Sequence, residues 1–261
     1  MRNLIYQYYR QPEPEPKTKN ATHTVKTGFN YYELSKQSIS KYAEKCGAEY
    51  KFLDEPLRND ISPFFGIFLP FFNEWCHEYD NICFVDSDMF ATIHSENIFD
   101  HASKDFITAC LVNTVGRWGA HNPAFKWFTE LGGNFNSGIV VFPRPVYSEL
   151  IKYLSDLDDR MDRLVSENNF EWLIGSLDQS QVNLFIRDQS IANNEKQYKI
   201  LSNNFNFHMS IRKHSERFDA DKSWLIHYHR DKKHMMKEDF ENDAILVSAF
   251  FAADTFKGRK D

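Results

Sequence analysis

The chain has 261 residues, of which 42% are hydrophobic and 26% are charged, a composition typical of a folded globular protein rather than a disordered or fibrous one. The net charge is −6 at pH 7, so no overall positive field draws the chain to nucleic acid. No run of apolar residues approaches the ~18 that a membrane span needs, which predicts a protein without one.

The cysteines and the N-terminus indicate the cellular compartment. None of the four cysteines lies in a Cys-x-x-Cys pair, and the first residues lack the long apolar stretch and small-residue cleavage site of a secretory signal. We therefore predict reduced, mostly buried thiols and a cytoplasmic location. The oligomeric state is left open by the sequence.

Apolar patterning predicts alternating strands and helices in the first part of the chain. Residues 4–8 form a short apolar run that predicts a strand, whereas Pro12, Pro14 and Pro16 exclude a helix or central strand over residues 11–20. An amphipathic helix is predicted over residues 31–46, ended by Gly47, followed by a strand over residues 49–53. Residues 63–79 are rich in phenylalanine and predict one buried helix despite Pro70.

The same alternation continues to the end of the chain. Strands are predicted over residues 81–85, 105–112, 138–142, 198–201 and 224–228, and helices over residues 145–157, 178–186 and 242–256. Alternation of this kind predicts an α/β fold with a mainly parallel central sheet flanked by helices. Because no linker rich in glycine or serine divides the chain, we expect a single domain over residues 1–261.

Two carboxylates follow the predicted buried strand at residues 81–85. Asp86 and Asp88 are separated by one residue, and in open α/β sheets ligands collect at the carboxyl ends of strands. Paired hard oxygen donors at such a place suit Mn²⁺ or Mg²⁺. A turn in which both carboxylates cap backbone groups explains the Asp-x-Asp pattern equally well when it is taken alone.

Four further polar segments follow the Asp-x-Asp pair in a fixed order. Residues 135–141 read Phe-Asn-Ser-Gly-Ile-Val-Val, a polar turn before a buried strand. Asp178 and Gln179 open a helix that continues through Asn183, and residues 201–206 end a strand with a short polar loop. Residues 226–229 read Ile-His-Tyr-His and run into Lys232 and Lys233.

These five segments, in this order, resemble the GT-A glycosyltransferases, and most closely family 8, the group of glycogenin and the bacterial lipopolysaccharide galactosyltransferases. That family is marked by Asp-x-Asp, Phe-Asn-[Ser/Ala]-Gly, Asp-Gln-x-x-hydrophobic-Asn, Leu-x-x-x-Phe/Tyr-Asn and a C-terminal His-[Phe/Tyr]-x-Gly-x-x-Lys. The resemblance implies transfer of a sugar from a nucleotide diphosphate donor, a uridine donor by analogy, with retention of configuration and a bound Mn²⁺ or Mg²⁺.

The resemblance also implies a role for each matching residue. It implies that Asp86, Asp88 and His227 bind the metal ion and that Asp178 and Gln179 are catalytic residues. The donor-binding residues it implies are Asp86, Asn136, Ser137, Gly138, Asn206 and Lys233. The acceptor is expected to be a glycan, a protein hydroxyl or a modified nucleobase.

Some alternatives stay open at this point. Arg230 stands where the family has glycine after the histidine, so His229 is an alternative metal ligand to His227, and Lys232 is an alternative to Lys233 at the diphosphate. Two other functions are compatible with the Asp-x-Asp pair: a haloacid-dehalogenase-type phosphohydrolase with Asp86 as its nucleophile, and a GT-A-shaped module that binds a nucleotide sugar without turnover.

Overall fold

A computed structural model describes residues 1–10, 30–55, 63–92, 94–112, 126–157, 177–208, 224–228, 233 and 235–236. Contacts between residues divide the chain into two compact units. Unit 1 contains Met1–Leu4, Pro56–Phe84 and Phe99–Leu201, and unit 2 contains Ile5–Glu55, Val85–Ile98 and Ser202–Asp261. The predictions for residues 11–20 and 242–256 lie outside the described residues.

Unit 1 contains most of the strands of a mixed α/β sheet, which is mostly parallel. The strands β3 (Asn81–Val85), β6 (Asn134–Pro143), β5 (Ile107–Val112) and β7 (Tyr198–Leu201) are neighbours in that order. β5 runs parallel to β7 and antiparallel to β6. The α/β fold class predicted from the sequence is confirmed.

The helices of unit 1 pack around a core rich in aromatic side chains. Those in the described part are α2 (Leu69–Phe72), α3 (Ile98–His101, which begins at the end of unit 2), α4 (Lys126–Leu131), α5 (Tyr147–Ser155) and α6 (Leu177–Ala192). α6 packs on β6, and α2 packs on α5. The Phe71 ring lies 5.0 Å from the Phe142 ring and 5.4 Å from the Tyr147 ring, centroid to centroid, so phenylalanines from the predicted aromatic segment are core residues.

The prediction of a single buried helix over residues 63–79 is wrong. The segment forms two 3₁₀ turns, Pro63–Phe68 and Trp75–Glu78, on either side of the four-residue helix α2. Pro70 lies in the first turn of α2, where a missing N–H costs no helical hydrogen bond. Glu74 adopts a left-handed backbone with φ of 57°, which ends the helical path.

Unit 2 is built around one long helix and a small sheet. β1 (Asn3–Tyr8, largely in this unit) neighbours β2 (Glu49–Leu53), and α1 (Tyr31–Lys45) packs against β2 and β4 (Met89–Ala91). Gly47 follows α1 with φ of +63°, a conformation that glycine adopts without steric cost. The order of the small sheet is β4, β9 (Leu225–His227), β8 (Phe207–His208).

Two further predictions are tested by the described residues. All four cysteines are free and buried, as predicted. None of the helices in the described part of the chain combines the length and the apolar character that crossing a lipid bilayer requires.

Candidate active site

The small sheet of unit 2 brings the Asp-x-Asp pair to the distant histidine. β4 pairs antiparallel with β9 so that Met89 lies opposite His227, and the N–H of Tyr228 donates to the carbonyl oxygen of Asp88 over 2.9 Å. Because Asp88 directly precedes β4 and His227 ends β9, this register places the carboxylate beside the imidazole.

Three side chains present ligand-type atoms to one point. Nε2 of His227 lies 3.0 Å from Oδ1 of Asp88 and 3.6 Å from Oδ2 of Asp86, and the ligand atoms of all three lie within 4.8 Å of one another. His227 and Asp88 are buried, at 1% and 5% exposure, whereas the Asp86 side chain is 38% exposed. The cluster therefore has a buried floor and one side that faces solvent.

Asn206 orients the imidazole from behind. Its Oδ1 lies 3.0 Å from Nδ1 of His227, and both residues are buried. Because an amide oxygen can only accept, Nδ1 carries the proton and Nε2 faces the two carboxylates. A histidine held through its second nitrogen in this way is typical of metal sites. The structure places Asn206 against His227, and the sequence prediction that it also binds the donor stays a prediction.

Lys233 contacts the second oxygen of Asp88. Its Nζ lies 3.0 Å from Oδ2 of Asp88 and 4.3 Å from the centroid of the Tyr31 ring. Tyr31 begins α1, so the first turn of that helix forms the wall behind the lysine. A cation held between a carboxylate and an aromatic face gains from both contacts.

The charges in this cluster shift the pKa values of its members strongly. Burial by itself would raise the pKa of Asp88, but the positive charges of His227 and Lys233 outweigh it and hold that pKa well below its usual range. Burial would lower the pKa of His227, yet the charge of Asp88, with a smaller contribution from Asp86, raises it. Asp88 is therefore an anion at any physiological pH.

The donor set fits a divalent cation. Among the residues that the structure describes, the buried Oδ1 of Asp88 makes no hydrogen bond, although Nε2 of His227 lies 3.0 Å away. A buried carboxylate oxygen without a hydrogen bond is costly, and a cation held by both side chains would offset that cost. Two carboxylates and one imidazole are a ligand set that Mn²⁺ accepts. Asp86, Asp88 and His227 are the residues that would hold such an ion.

A second polar cluster lies in unit 1, where β6 meets the first turn of α6. Nδ2 of Asn136 donates to Oε1 of Gln179 over 3.2 Å, and the N–H of Gly138 donates to Oδ1 of Asn136 over 2.9 Å. Burial raises the pKa of Asp178, an effect that a hydrogen bond from Ser137 only partly offsets. The structure thus brings together five residues that the sequence assigned to the donor sugar and to catalysis.

The local geometry of that second cluster differs from the sequence prediction in one respect. Residues 135–137 are expected from the sequence to form a turn before the strand, but they lie within β6, which begins at Asn134. Asn183 of α6 explains how a polar start is tolerated, because its side-chain amide bonds the backbone N–H and carbonyl of Phe135 over 2.8 and 2.7 Å. The two bonds to Phe135 tie α6 to β6, and the same amide also donates to the carbonyl of Gln179 within α6 over 2.7 Å.

Comparison with solved structures decides the fold family. The chain matches a glycosyltransferase involved in the glycosylation of the major capsid of PBCV-1, with a TM-score of 0.52 and 12% identity over 91% of this chain and 100% of the other. It also matches the glycosyltransferase GlyE in Streptococcus pneumoniae TIGR4, with a TM-score of 0.51 and 14% identity over 98% of this chain and 64% of the other.

A third match is the bifunctional glycosyltransferase WbbM, with a TM-score of 0.50 and 13% identity over 95% of this chain. The chain spans 64% of the length of GlyE and 50% of that of WbbM. No protein-family model matches the sequence, and neither does any curated protein sequence. The chain has the GT-A glycosyltransferase fold.

Within the GT-A fold, the described residues contain most of the predicted site but not the alternatives. His229 and Lys232 lie outside the described residues. The choice of His227 over His229 as metal ligand, and of Lys233 over Lys232 at the diphosphate, therefore stays a prediction. Both preferred residues, His227 and Lys233, lie in the cluster. Sequence reasoning missed Tyr31 and the buried Gln7, whose side chain donates to the carbonyl oxygen of Asp86. A glutamine within the apolar run of residues 4–8 was the available signal.

Proposed function

We propose that this protein is a metal-dependent glycosyltransferase that moves a sugar from a nucleotide diphosphate donor to a hydroxyl acceptor. The observation that carries the proposal is the convergence of Asp86, Asp88 and His227 in a chain with the GT-A fold. A turn that only caps backbone groups would not need a buried imidazole 3.0 Å from one of its carboxylates.

The site is suited to a diphosphate leaving group. Breaking the bond between the anomeric carbon and the diphosphate leaves that group with additional negative charge. Bound Mn²⁺ or Mg²⁺ would act as a Lewis acid on the phosphate oxygens. Lys233 adds a positive charge beside Asp88, and a cation fixed where charge develops lowers the barrier.

The second cluster is proposed to bind the donor sugar. By the family resemblance, Asn136 and Asp178 hydrogen-bond the sugar hydroxyls, with Ser137 and Gly138 forming the adjoining backbone, and Gln179 lies near the anomeric carbon. The hydrogen bond from Asn136 to Gln179 supports a joint role in donor binding, because each residue holds the side chain of the other in place. A half-buried Asp178 with a raised pKa is suited to strong hydrogen bonds with hydroxyl groups.

The stereochemistry and substrates follow from the resemblance to family 8. We propose a uridine diphosphate sugar as the donor and retention of configuration. In such a step the bond from the anomeric carbon to the diphosphate oxygen breaks and a bond to the acceptor oxygen forms on the same face. The departing diphosphate then takes the acceptor's proton, so no separate general base is required. The acceptor is a glycan, a protein hydroxyl or a modified nucleobase, and the sugar is a hexose or a pentose.

A thermal-shift screen of nucleotide sugars tests the proposal. With Mn²⁺ present, at least one uridine diphosphate sugar should raise the melting temperature, because a ligand that binds only the folded state stabilises it by mass action. The shift should disappear when the metal is removed with a chelator. Equal shifts with and without chelator would contradict metal-dependent donor binding.

Product analysis separates this function from its competitors. With the donor found in the screen, the proposal expects release of uridine diphosphate together with transfer to an acceptor, or slow hydrolysis when no acceptor is present. Release of inorganic phosphate from an aryl phosphate would instead favour a phosphohydrolase. Donor binding without any uridine diphosphate release would favour a module without turnover.

A further inference from the structure

A buried hydrogen-bond network lies directly behind the Asp-x-Asp turn of unit 2. Gln7 of β1 is fully buried, and its Nε2 donates to Oγ of Ser35 over 2.8 Å and to the carbonyl oxygen of Asp86 over 2.9 Å. Ser35 of α1 donates to the carbonyl oxygen of Met89 over 2.7 Å, and the hydroxyl of Tyr50 in β2 donates to Oε1 of Gln7 over 2.8 Å.

The direction of each hydrogen bond follows from which of its two groups can donate a hydrogen and which can only accept one. The carbonyl oxygens of Asp86 and Met89 can only accept, so Gln7 must face Asp86 with its NH₂ group and Ser35 must give its proton to Met89. Oγ of Ser35 then accepts the second proton of the Gln7 NH₂ group. Both amide hydrogens of Gln7 and its oxygen are therefore used, with no alternative orientation of comparable energy.

The two carbonyls that this network holds lie at the two ends of the turn that carries both carboxylates. Inside the turn, the N–H of Met89 donates to the carbonyl of Asp86 over 3.3 Å, and the carbonyl of Asp88 accepts from the N–H of Tyr228 over 2.9 Å. A fully satisfied buried network favours one arrangement, because any displacement leaves polar groups unpaired away from water. The position of the backbone at residues 86–89 is thus fixed from β1, α1 and β2.

We infer that Gln7 and Ser35 are positioning residues of the metal site, which they serve by holding the ends of the Asp86–Met89 turn so that both carboxylates face His227. The inference rests on the proposed metal-binding role of that turn. The network itself does not touch the ligand atoms, so its contribution is geometric.

Ser38 provides a matched control on the same helix. Like Ser35 it is fully buried in α1, but its hydroxyl contacts Ala91, at the far end of β4: it donates to the carbonyl of Ala91 over 3.3 Å and accepts from the N–H of Ala91 over 3.0 Å. Ser38→Ala therefore removes two hydrogen bonds between the same two elements without releasing the turn.

The test compares Mn²⁺ affinity, without donor, among wild type, Ser35→Ala, Gln7→Met and Ser38→Ala by titration calorimetry below the lowest melting temperature. Ser35→Ala and Gln7→Met should lose about 10- to 100-fold in affinity, as is usual when residues that hold metal ligands are replaced, whereas Ser38→Ala should stay within about threefold of wild type. Equal losses in Ser35→Ala and Ser38→Ala, or wild-type affinity in Gln7→Met, would overturn the inference.

Amide hydrogen exchange gives a readout that does not depend on metal. The amides of Met89 and Tyr228 should exchange faster in Ser35→Ala and Gln7→Met than in Ser38→Ala, because their hydrogen bonds lie within or against the turn. If wild type itself bound no Mn²⁺, the proposed function would fail. Amide hydrogen exchange alone would then decide whether the network positions the Asp86–Met89 turn. Unchanged exchange at both amides in the Ser35→Ala and Gln7→Met variants would reject that role.

Discussion

Replacing Asp88 with Asn is expected to abolish metal-dependent donor binding and to slow sugar transfer by at least about 10³-fold, which corresponds to ~4 kcal/mol of lost charge stabilisation. The variant keeps the size and shape of the side chain but removes the buried anion that faces His227 and Lys233. Titration calorimetry with Mn²⁺ and uridine diphosphate measures the binding, and release of uridine diphosphate measures the turnover.

Asp100 offers the control for the Asp88 variant. It is an exposed aspartate of α3, so Asp100→Asn changes the net charge by the same amount without altering the cluster and should leave both affinity and turnover unchanged. Circular dichroism should show that Asp88→Asn is folded at the assay temperature. A folded Asp88→Asn protein that binds Mn²⁺ and the nucleotide as wild type does would remove Asp88 from the site.

Replacing Lys233 with Met is expected to change metal binding and nucleotide binding in opposite directions. Nζ of Lys233 lies 3.0 Å from Oδ2 of Asp88, so the lysine competes with an incoming cation for that carboxylate. Without it, Mn²⁺ alone should bind about tenfold or more tightly, a gain of ~1.4 kcal/mol. Uridine diphosphate in the presence of saturating Mn²⁺ should bind about tenfold or more weakly, because a charge-assisted contact to phosphate is lost.

Lys36 is a matched control for this comparison. Its Nζ lies 4.9 Å from the centroid of the Phe52 ring, a contact of the same type as that between Lys233 and Tyr31. Lys36→Met removes one positive charge and one cation–π contact from the same unit and should alter neither affinity. If Lys233→Met weakened Mn²⁺ binding, the lysine would be supporting the metal site rather than competing for Asp88.

Patterning along the chain was sufficient to predict the strands of the sheet. β2, β3 and β7 have the predicted bounds, and β1 begins one residue before its predicted start. β1 and β3 are short, largely apolar runs, and their local signal agrees with their burial, whereas β2 and β7 are mostly half-buried or exposed. The helix α6 extends to Ala192, six residues beyond its predicted end. The prediction stopped early because the last turns of the helix are polar and carry little apolar periodicity.

Long-range contacts decided the elements that local patterning missed. β4 has only three residues, too few for a period-two signal, and it is a strand because β9 pairs with it. The polar start of β6 resembles a turn in the sequence, but it is a strand because Asn134 and Phe135 pair with β5. Asn183, from a helix nearly fifty residues later, also hydrogen-bonds the backbone of Phe135. Hydrogen bonds between such distant residues leave no trace in local composition.

The residues of the candidate metal site could be chosen from the sequence, but the residues that support them could not. Asp86, Asp88 and His227 were chosen from motif order, and the register between β4 and β9 places them together. The contact of Asn206 with the imidazole was not predicted, since it depends on the parallel pairing of β8 with β9, and its assignment to donor binding stays a prediction. Tyr31 was missed because a tyrosine at the start of an amphipathic helix has no distinguishing pattern.

The most direct test of the metal site is an anomalous diffraction measurement at the manganese absorption edge, on crystals grown with Mn²⁺ and uridine diphosphate. We expect one strong peak within about 2.0–2.6 Å of a carboxylate oxygen of Asp88 and of Nε2 of His227, the range of metal–ligand bonds in proteins, with Asp86 as a third ligand. A peak bonded only to other residues, or none where nucleotide density is clear, would contradict the account.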